Sequence, residues 1–317
     1  MPGTISKNYD FDASAVVEQL RNSMTGLGTD EDTIINILVT HDNEQRREID
    51  ESYKCAYGKD LIEDLKSELK GDFEEICVSM LEHPRKYDAK QIHNAMCGAG
   101  TDETTIIEIM TTRSNAEIEE IKQIYKDEFE NEMEDDLKGE TSGYFERLLV
   151  SLCSGAREES PSVDYEKATE DAQKFYDAAE AVWGTEEADL NAILCLRSRP
   201  QLYQTMIHYE SLTGKTMEQS VQDDCSGTLQ NGYLAIIETT KNLPAFFARR
   251  LNESFSGIGT SDTHLIRIVV SRSEIDLDDI KQIYEEKYET SLCDAIASEC
   301  GGDYKKMLQA IVNGGVQ

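Results

Sequence analysis

Apolar residues along this chain come in short clusters with the spacing of a helix rather than a strand. Ile34, Ile35, Ile37 and Leu38 form one cluster, and Ile106, Ile107, Ile109 and Met110 repeat it. Ile118, Ile121, Ile124 and Tyr125 recur every three to four residues, which places them on one helical face. Leu61, Ile62 and Leu65 mark a short helix, and Phe73, Ile76, Cys77 and Met80 another. Thr29 with Asp32 predicts a capped start for the helix carrying the first cluster. A further helix is expected from about Tyr165 to Ala181. Adding one helix ahead of each glycine loop, the pattern predicts about five helices per unit and an all-α fold.

The units repeat. Met24-Thr-Gly-Leu-Gly-Thr-Asp-Glu31 matches Met96-Cys-Gly-Ala-Gly-Thr-Asp-Glu103, and weaker copies begin at Val182-Trp-Gly-Thr-Glu-Glu187 and Phe255-Ser-Gly-Ile-Gly-Thr-Ser-Asp262. Gly28, Gly100, Gly184 and Gly259 keep register, 72, 84 and 75 residues apart. Thirteen residues on stand His41, Arg113, Arg197 and Arg272, and forty residues on stand Glu68, Glu140, Asp224 and Glu299. Three residues after each acid comes Gly71, Gly143, Gly227 or Gly302. Pro84, Pro161 and Pro244 fall between copies, and Pro200 stands where a helix of the third copy would begin, a tolerated position. The wider gap holds Ser154-Gly-Ala-Arg-Glu-Glu-Ser-Pro-Ser162, which reads as a linker dividing the chain into halves. The expected organisation is a short tail (1–12), repeats at 13–84 and 85–156, a linker (157–167), and repeats at 168–241 and 242–317.

Composition narrows the function. With 31 basic and 63 acidic residues the formal net charge is −32, which argues against nucleic acid and against an anionic membrane unless a bound cation reverses the charge locally. No apolar run is long enough to span a bilayer, and the first 30 residues lack a signal-peptide pattern. The eight cysteines form no CxxC, and Cys77, Cys153 and Cys195 read as core packing in a reducing compartment. The five histidines make no metal or catalytic pattern, and no nucleophile motif or phosphate-binding loop is complete.

The glycine loops carry the chemistry. A Gly-x-Gly turn can aim several carbonyl oxygens at one point, and calcium takes six to eight oxygens in a flexible arrangement. Carbonyls alone leave its charge uncompensated, so a carboxylate from a second loop, such as Glu68 in Leu65–Gly71, completes the set. One such loop alone reads as a helix-joining turn and one such acid as solvated surface; their pairing at a fixed offset does not. Oxygen-only ligands favour calcium over zinc or magnesium. A cation held there with open positions can accept phosphate oxygens. Leu27 and Ile258 stand at loop tips with Lys70 near the same edge. Trp183 holds the equivalent position, either as a membrane contact or as a partly buried core residue.

At these residues the chain resembles the annexin family, through the Met24–Glu31 motif with Glu68, its copies, and the segments Leu137–Tyr144 and Val270–Leu277. The resemblance runs from about Phe11 to Gly314. It implies an all-α, slightly curved disc of four repeats, about five helices each, in a right-handed superhelical arrangement. Calcium would lie on the convex face and the tail on the concave one. The activity implied is calcium-dependent, reversible binding to acidic phospholipid membranes, without enzymatic turnover. The implied ligands are Met24, Gly26, Gly28 and Glu68; Met96, Gly98, Gly100 and Glu140; and Phe255, Gly257, Gly259 and Glu299. The third set departs from the motif, with Glu180, Val182, Gly184 and Asp224, which implies weaker binding. Thr29, Glu31, Thr101 and Glu103 resemble accessory calcium positions. His41 stands where the family keeps arginine. Cys225 and Cys300 follow site acids near the membrane-facing surface, either as redox-sensitive thiols or as tolerated small residues. Asp88, Arg113 and Arg272 match channel-lining positions and read more readily as salt bridges holding the halves together. The expected location is cytoplasmic and peripheral to membranes, with export independent of a signal peptide left open, as are protein partners and self-association on the membrane. A helical scaffold that binds a protein partner does not account for the Gly28/Glu68 pairing, and a metal-assisted hydrolase lacks a converging nucleophile and base.

Overall fold

The computed structural model describes residues 2–26, 28–98, 100–180, 187–256 and 260–315, and every regular element among them is helical. The first repeat supplies α1 (Ala13–Ser23), α2 (Glu31–Val39), α3 (Asn43–Tyr57), α4 (Leu61–Glu68) and α5 (Gly71–Leu81). The second supplies α6 (Pro84–Met96), α7 (Glu103–Thr112), α8 (Asn115–Phe129), α9 (Met133–Glu140) and α10 (Gly143–Cys153). In the third, α11 (Tyr165–Glu180) is followed by α12 (Glu187–Asn191), which runs on as a π-helical turn, Ala192–Leu196, before α13 (Arg199–Thr213), α14 (Met217–Asp224) and α15 (Gly227–Lys241). The fourth holds α16 (Leu243–Ser254), α17 (Asp262–Arg272), α18 (Leu277–Tyr288), α19 (Leu292–Glu299) and α20 (Gly302–Asn313). Five helices per repeat therefore hold throughout.

Local chemistry sets the helix ends. Asp42 with Gln45, Ser114 with Glu117 and Thr216 with Gln219 form capping boxes at α3, α8 and α14, each satisfying an otherwise orphaned N–H in both directions. The cap of α2 is Asp30, not the expected Thr29/Asp32 pair: the Asp30 carboxylate accepts from the Thr33 N–H at 3.1 Å, while Thr29 turns outward to another partner. The long third helix of each repeat stops on a left-handed residue. This is Gly58 and Gly214 in two repeats and Glu130 and Glu289 in the others.

The chain divides into two compact units, but not at the serine-rich stretch. One unit comprises Met1–Tyr87 with Phe247–Gln317, the other Asp88–Phe246. In the first, α2, α5, α17 and α20 pack on one another around Ile34, Leu38, Ile76, Ile266 and Leu308, all fully buried or nearly so. In the second, α7, α10, α15 and the π-turn pack together around Ile106, Ile109, Leu149, Leu194 and Ile236. The expected dividing linker thus lies inside the second unit, and it is tied down. Asn115 donates Nδ2–H to the Arg157 carbonyl at 2.7 Å and accepts the Arg157 N–H at 3.1 Å. Gln201 exchanges two bonds with Asp164, at 2.8 and 2.9 Å. In the first unit Gln45 makes the same exchange with Asn8, at 2.9 and 2.7 Å. The N-terminal segment and the linker are therefore counterparts. Each is an extended strand of chain held by the glutamine of the following long helix.

The register arginines are structural. Arg113 forms a two-pronged pair with Asp88, at 2.9 and 2.8 Å, with side chains 3% and 1% exposed. Arg197 pairs with Asp171 likewise, and Arg272 with Asp276 on its own chain turn. Both members of the Asp88–Arg113 pair lie in one unit and both members of the Arg272–Asp276 pair in the other, so neither is the bridge between halves that was expected. At His41 the imidazole accepts no such partner: one ring nitrogen meets the Ile37 carbonyl at 2.8 Å and the other Asn8 at 3.3 Å. Arg46 takes over the polar packing there, donating to the carbonyls of Met80, Leu38 and His41 and pairing with Glu274 at 2.6 Å.

Candidate functional site

Each site acid occupies the same structural position. Glu68, Glu140, Asp224 and Glu299 are the last residues of α4, α9, α14 and α19, all eight residues long. The next residue, Leu69, Thr141, Cys225 or Cys300, is extended, and its N–H closes the helix onto the carbonyl four residues back. Two residues later Gly71, Gly143, Gly227 and Gly302 all turn left-handed, with φ of 59° to 67°, and launch the next helix. The register glycines of the sequence are thus turn residues, and the acid belongs to a helix end rather than to the middle of a loop. A carboxylate at a helix C-terminus faces the negative end of the helix dipole. Four such placements are electrostatically adverse until a cation joins them.

The glycine loops show their own geometry in the first two repeats. Gly26 and Gly28 have φ of +120° and +93°, Gly98 and Gly100 of +105° and +107°, values that side chains with a Cβ rarely adopt. A Cβ added at any of the four would meet nothing within 4 Å, so the loops are open to solvent on that side. Each loop is closed at its base by one bond spanning seven residues. Asp30 N–H donates to the Ser23 carbonyl at 2.9 Å, Asp102 N–H to Ala95 at 2.7 Å, and in the fourth repeat Ser261 N–H to Ser254 at 2.8 Å.

The acid is brought to its loop as well. Thr29 Oγ1 donates to Glu68 Oε2 at 3.3 Å, and Thr101 Oγ1 to the Glu140 carbonyl at 3.5 Å. Glu31 and Glu103, the other accessory candidates, begin α2 and α7. Met24 and Met96 end α1 and α6 at the loop entrances, and Phe255 leads from α16 into the fourth loop. Val182, Gly184, Gly257 and Gly259, and the tips Leu27, Trp183 and Ile258, lie outside the described residues, as does the side chain of Glu180.

In the first unit the site acids of the first and fourth repeats, Glu68 and Glu299, line one cavity of about 730 Å³, together with Glu31, Lys70, Asp262 and Asp303. Sequence reasoning placed Lys70 at this edge and quoted Asp262 only as the end of the fourth motif, where Glu31 and Glu103 stand in the first two, without giving it a site role; it did not single out Asp303, whose signal was only an acid after Gly302. The field there is negative. Burial, with Asp72 nearby, pushes the Asp262 carboxyl up, and burial with Asp72 and Asp262 does the same to Glu75. Cys300 is pushed up to about 11 by burial and by Asp262 and Glu299. That holds it as a thiol and supports the small-residue reading over a redox-sensitive one. Cys77, Cys153 and Cys195 are buried, as core packing requires.

The donors available at such a loop are carbonyls, hydroxyls and carboxylates, all hard oxygens, which suit calcium. Among the described residues no three His, Cys, Asp or Glu side chains gather as a metal cluster. A set made mostly of main-chain carbonyls with one carboxylate does not need one. Among the described residues, too, no helix is long and apolar enough to cross a membrane.

Comparison with known proteins finds matches along nearly the whole chain. The annexin family model matches residues 15–80, 87–152, 170–236 and 246–311. The chain is 46% identical over 310 residues to human annexin A7, covering 98% of this chain and 64% of that protein. It is 46% identical over 312 residues to rabbit annexin A11, covering 98% and 62%. This chain therefore spans a little under two thirds of the length of these curated relatives. Among solved structures, annexin III superposes with a TM-score of 0.97 at 42% identity, covering 99% of this chain and 98% of that one.

Proposed function

This chain belongs to the annexin family, and from that membership we propose that it binds acidic phospholipid membranes reversibly and in a calcium-dependent way, without catalytic turnover. The observation that carries the reading is the meeting of two parts of the chain thirty-nine residues apart. The left-handed glycine loop of the first repeat and the Glu68 carboxylate at the end of α4 are joined through Thr29.

Met24, Gly26 and Gly28 with Glu68 would hold one calcium ion, and Met96, Gly98 and Gly100 with Glu140 a second. Asp224 and Glu299, at the equivalent helix ends, are the acids of the third and fourth sites. Bound calcium supplies positive charge and open coordination positions for lipid phosphate oxygens. The chain's own part is to hold the loops closed at their bases, through Asp30 and Asp102, which limits the freedom the loops lose on meeting a cation. Thr29 and Thr101 keep the acid end of the following short helix beside each loop. The acids gathered around Glu68 and Glu299 repel an anionic surface when calcium is absent, which makes attachment reversible. The repeats are taken as 13–84, 85–156, 168–241 and 242–317, after a tail at 1–12 and with a linker at 157–167. The site of action is the surface of a membrane, as a peripheral protein.

Cosedimentation with phosphatidylserine vesicles tests this. Binding should appear with calcium, vanish with chelator, and need more calcium when Glu68, Glu140 and Glu299 are replaced by glutamine. Binding that ignores chelator, or none at millimolar calcium, would refute the function. An unchanged requirement in the triple variant would refute the site assignment.

A further inference from the structure

The two units differ at one equivalent place, and in the second the difference leaves two guanidinium groups without a carboxylate partner among the described residues. Two residues after the register positions His41, Arg113, Arg197 and Arg272 stand Asn43, Asn115, Arg199 and Glu274. In the first unit Asn43 and Glu274 meet. The Glu274 carboxylate accepts the Asn43 N–H at 2.9 Å and pairs with the buried Arg46 at 2.6 Å, so an internal anion fills the junction. In the second unit Asn115 and Arg199 line a cavity of about 420 Å³ instead, and the Asn115 side chain is spent on clamping Arg157.

Three guanidinium groups line that cavity. Arg113 is neutralised by Asp88. Among the described residues the Arg157 guanidinium donates to the carbonyls of Arg197 and Leu194, at 2.8 and 2.9 Å. Arg199 donates to the Thr111 carbonyl at 2.7 Å and to Thr239 Oγ1 at 3.2 Å. Among the described residues neither has a carboxylate partner, although each carries five N–H donors. Uncharged acceptors satisfy hydrogen bonds but do not neutralise a half-buried charge. Burial holds Arg199 down to about 10, with the adjacent Arg157 adding to the effect, and burial lowers Arg157 as well. Three acids also line the cavity. Glu117 is engaged by the Ser114 N–H and hydroxyl, Glu158 is paired with Lys167 at 3.4 Å, and Glu159 is exposed. The hydroxyls of Ser114, Ser160 and Ser198 complete the polar lining.

We propose that this cavity binds a phosphate-type oxyanion between Arg157 and Arg199, in the place that the Glu274 carboxylate fills in the first unit. Paired guanidinium forks match the geometry of such an anion. The ligand is inorganic phosphate or the phosphate group of a small monoester. The site is separate from the glycine loops and owes nothing to calcium.

The test is calorimetric titration of the full chain with inorganic phosphate in excess chelator, where the calcium loops contribute nothing. A parallel arm uses glycerol 3-phosphate. Saturable binding of one equivalent is expected, and the arm with the higher affinity identifies the source. Arg157→Gln and Arg199→Gln should each weaken binding at least about tenfold. Asn115→Glu, which supplies the carboxylate of the first unit, should abolish binding while the far-ultraviolet helix signal stays unchanged. If either arginine variant fails to fold, Asn115→Glu alone decides. No saturable binding in either arm, or undiminished binding in Asn115→Glu, overturns the proposal. Because no calcium is present, this failure would leave the membrane reading standing, and loss of vesicle binding would leave this one standing.

Discussion

Replacing Gly98 and Gly100 by alanine separates loop conformation from overall stability. Their φ values, +105° and +107°, lie outside the region an alanine occupies comfortably, and each substitution costs about 1–3 kcal/mol if the backbone stays where it is. A Cβ at either position meets nothing within 4 Å, so none of this cost comes from collision with the rest of the protein. The loop is exposed and fixed mainly at its base by the Asp102 to Ala95 bond. It can therefore relax and escape the strain, but only by changing the directions of the carbonyls proposed to hold the cation. The penalty then falls on cation affinity, at about 5- to 150-fold per glycine, while the melting temperature hardly moves. To read one loop alone, the substitutions belong in a background with Glu68, Asp224 and Glu299 changed to their amides, leaving Glu140 intact. Calcium titration of vesicle binding and thermal unfolding are measured together. Gly139→Ala is the matched control. This glycine lies in α9 beside Glu140 without a positive φ and with open space at its Cβ, so calcium affinity should be unchanged. An unchanged calcium requirement in Gly98→Ala and Gly100→Ala would refute the role given to the loop. So would a fall in melting temperature with affinity intact.

Asp88→Ala leaves the Arg113 charge buried without its two-pronged carboxylate and should cost about 3–5 kcal/mol in denaturant unfolding, against less than about 1 for Glu63→Ala at the exposed Lys66 pair; similar losses would show that burial is not what matters. Glu130→Gly and Glu289→Gly remove side chains from left-handed positions at exposed helix ends, so each should raise stability by about 1 kcal/mol, and a decrease would count against the strain argument. Cys300, with its thiol near 11, has roughly one part in a thousand as thiolate at pH 8. Its alkylation, followed by mass spectrometry, should speed up about tenfold per pH unit towards 11, and a plateau near pH 8.5 would contradict the acidic surroundings described.

Much of this was legible in the sequence because the repeats restate it. The apolar clusters at Ile34–Leu38 and Ile106–Met110 fixed the helical period, and the constant offset from Gly28 to Glu68 exposed a pairing that one copy would have hidden. Partnership between repeats was not legible. The faces that pack α2 on α20 and α7 on α15 are ordinary apolar stripes, and no local pattern says which stripe meets which. The serine-rich stretch misled for a related reason. Composition registers flexibility of residue types but not the bonds from Asn115 and Gln201 that immobilise it. The cap of α2 was misplaced by one residue because Thr29 and Asp30 are both good caps, and only the nearby Glu68 shows that Thr29 is engaged elsewhere.

The pairing of first and last repeats also sets an order of events in time. The Asp88–Phe246 unit is one continuous segment and can close as soon as it has left the ribosome. The other unit cannot. The faces of α2 and α5 must wait for α17 and α20, and the end of α5 at Leu81 is made 232 residues before the end of α20 at Asn313. At about 5–20 residues per second, that is roughly 12–46 s of exposure for Ile34, Leu38 and Ile76. The newborn first repeat is therefore the part of this chain most in need of a chaperone, and the middle of the protein is finished before its beginning.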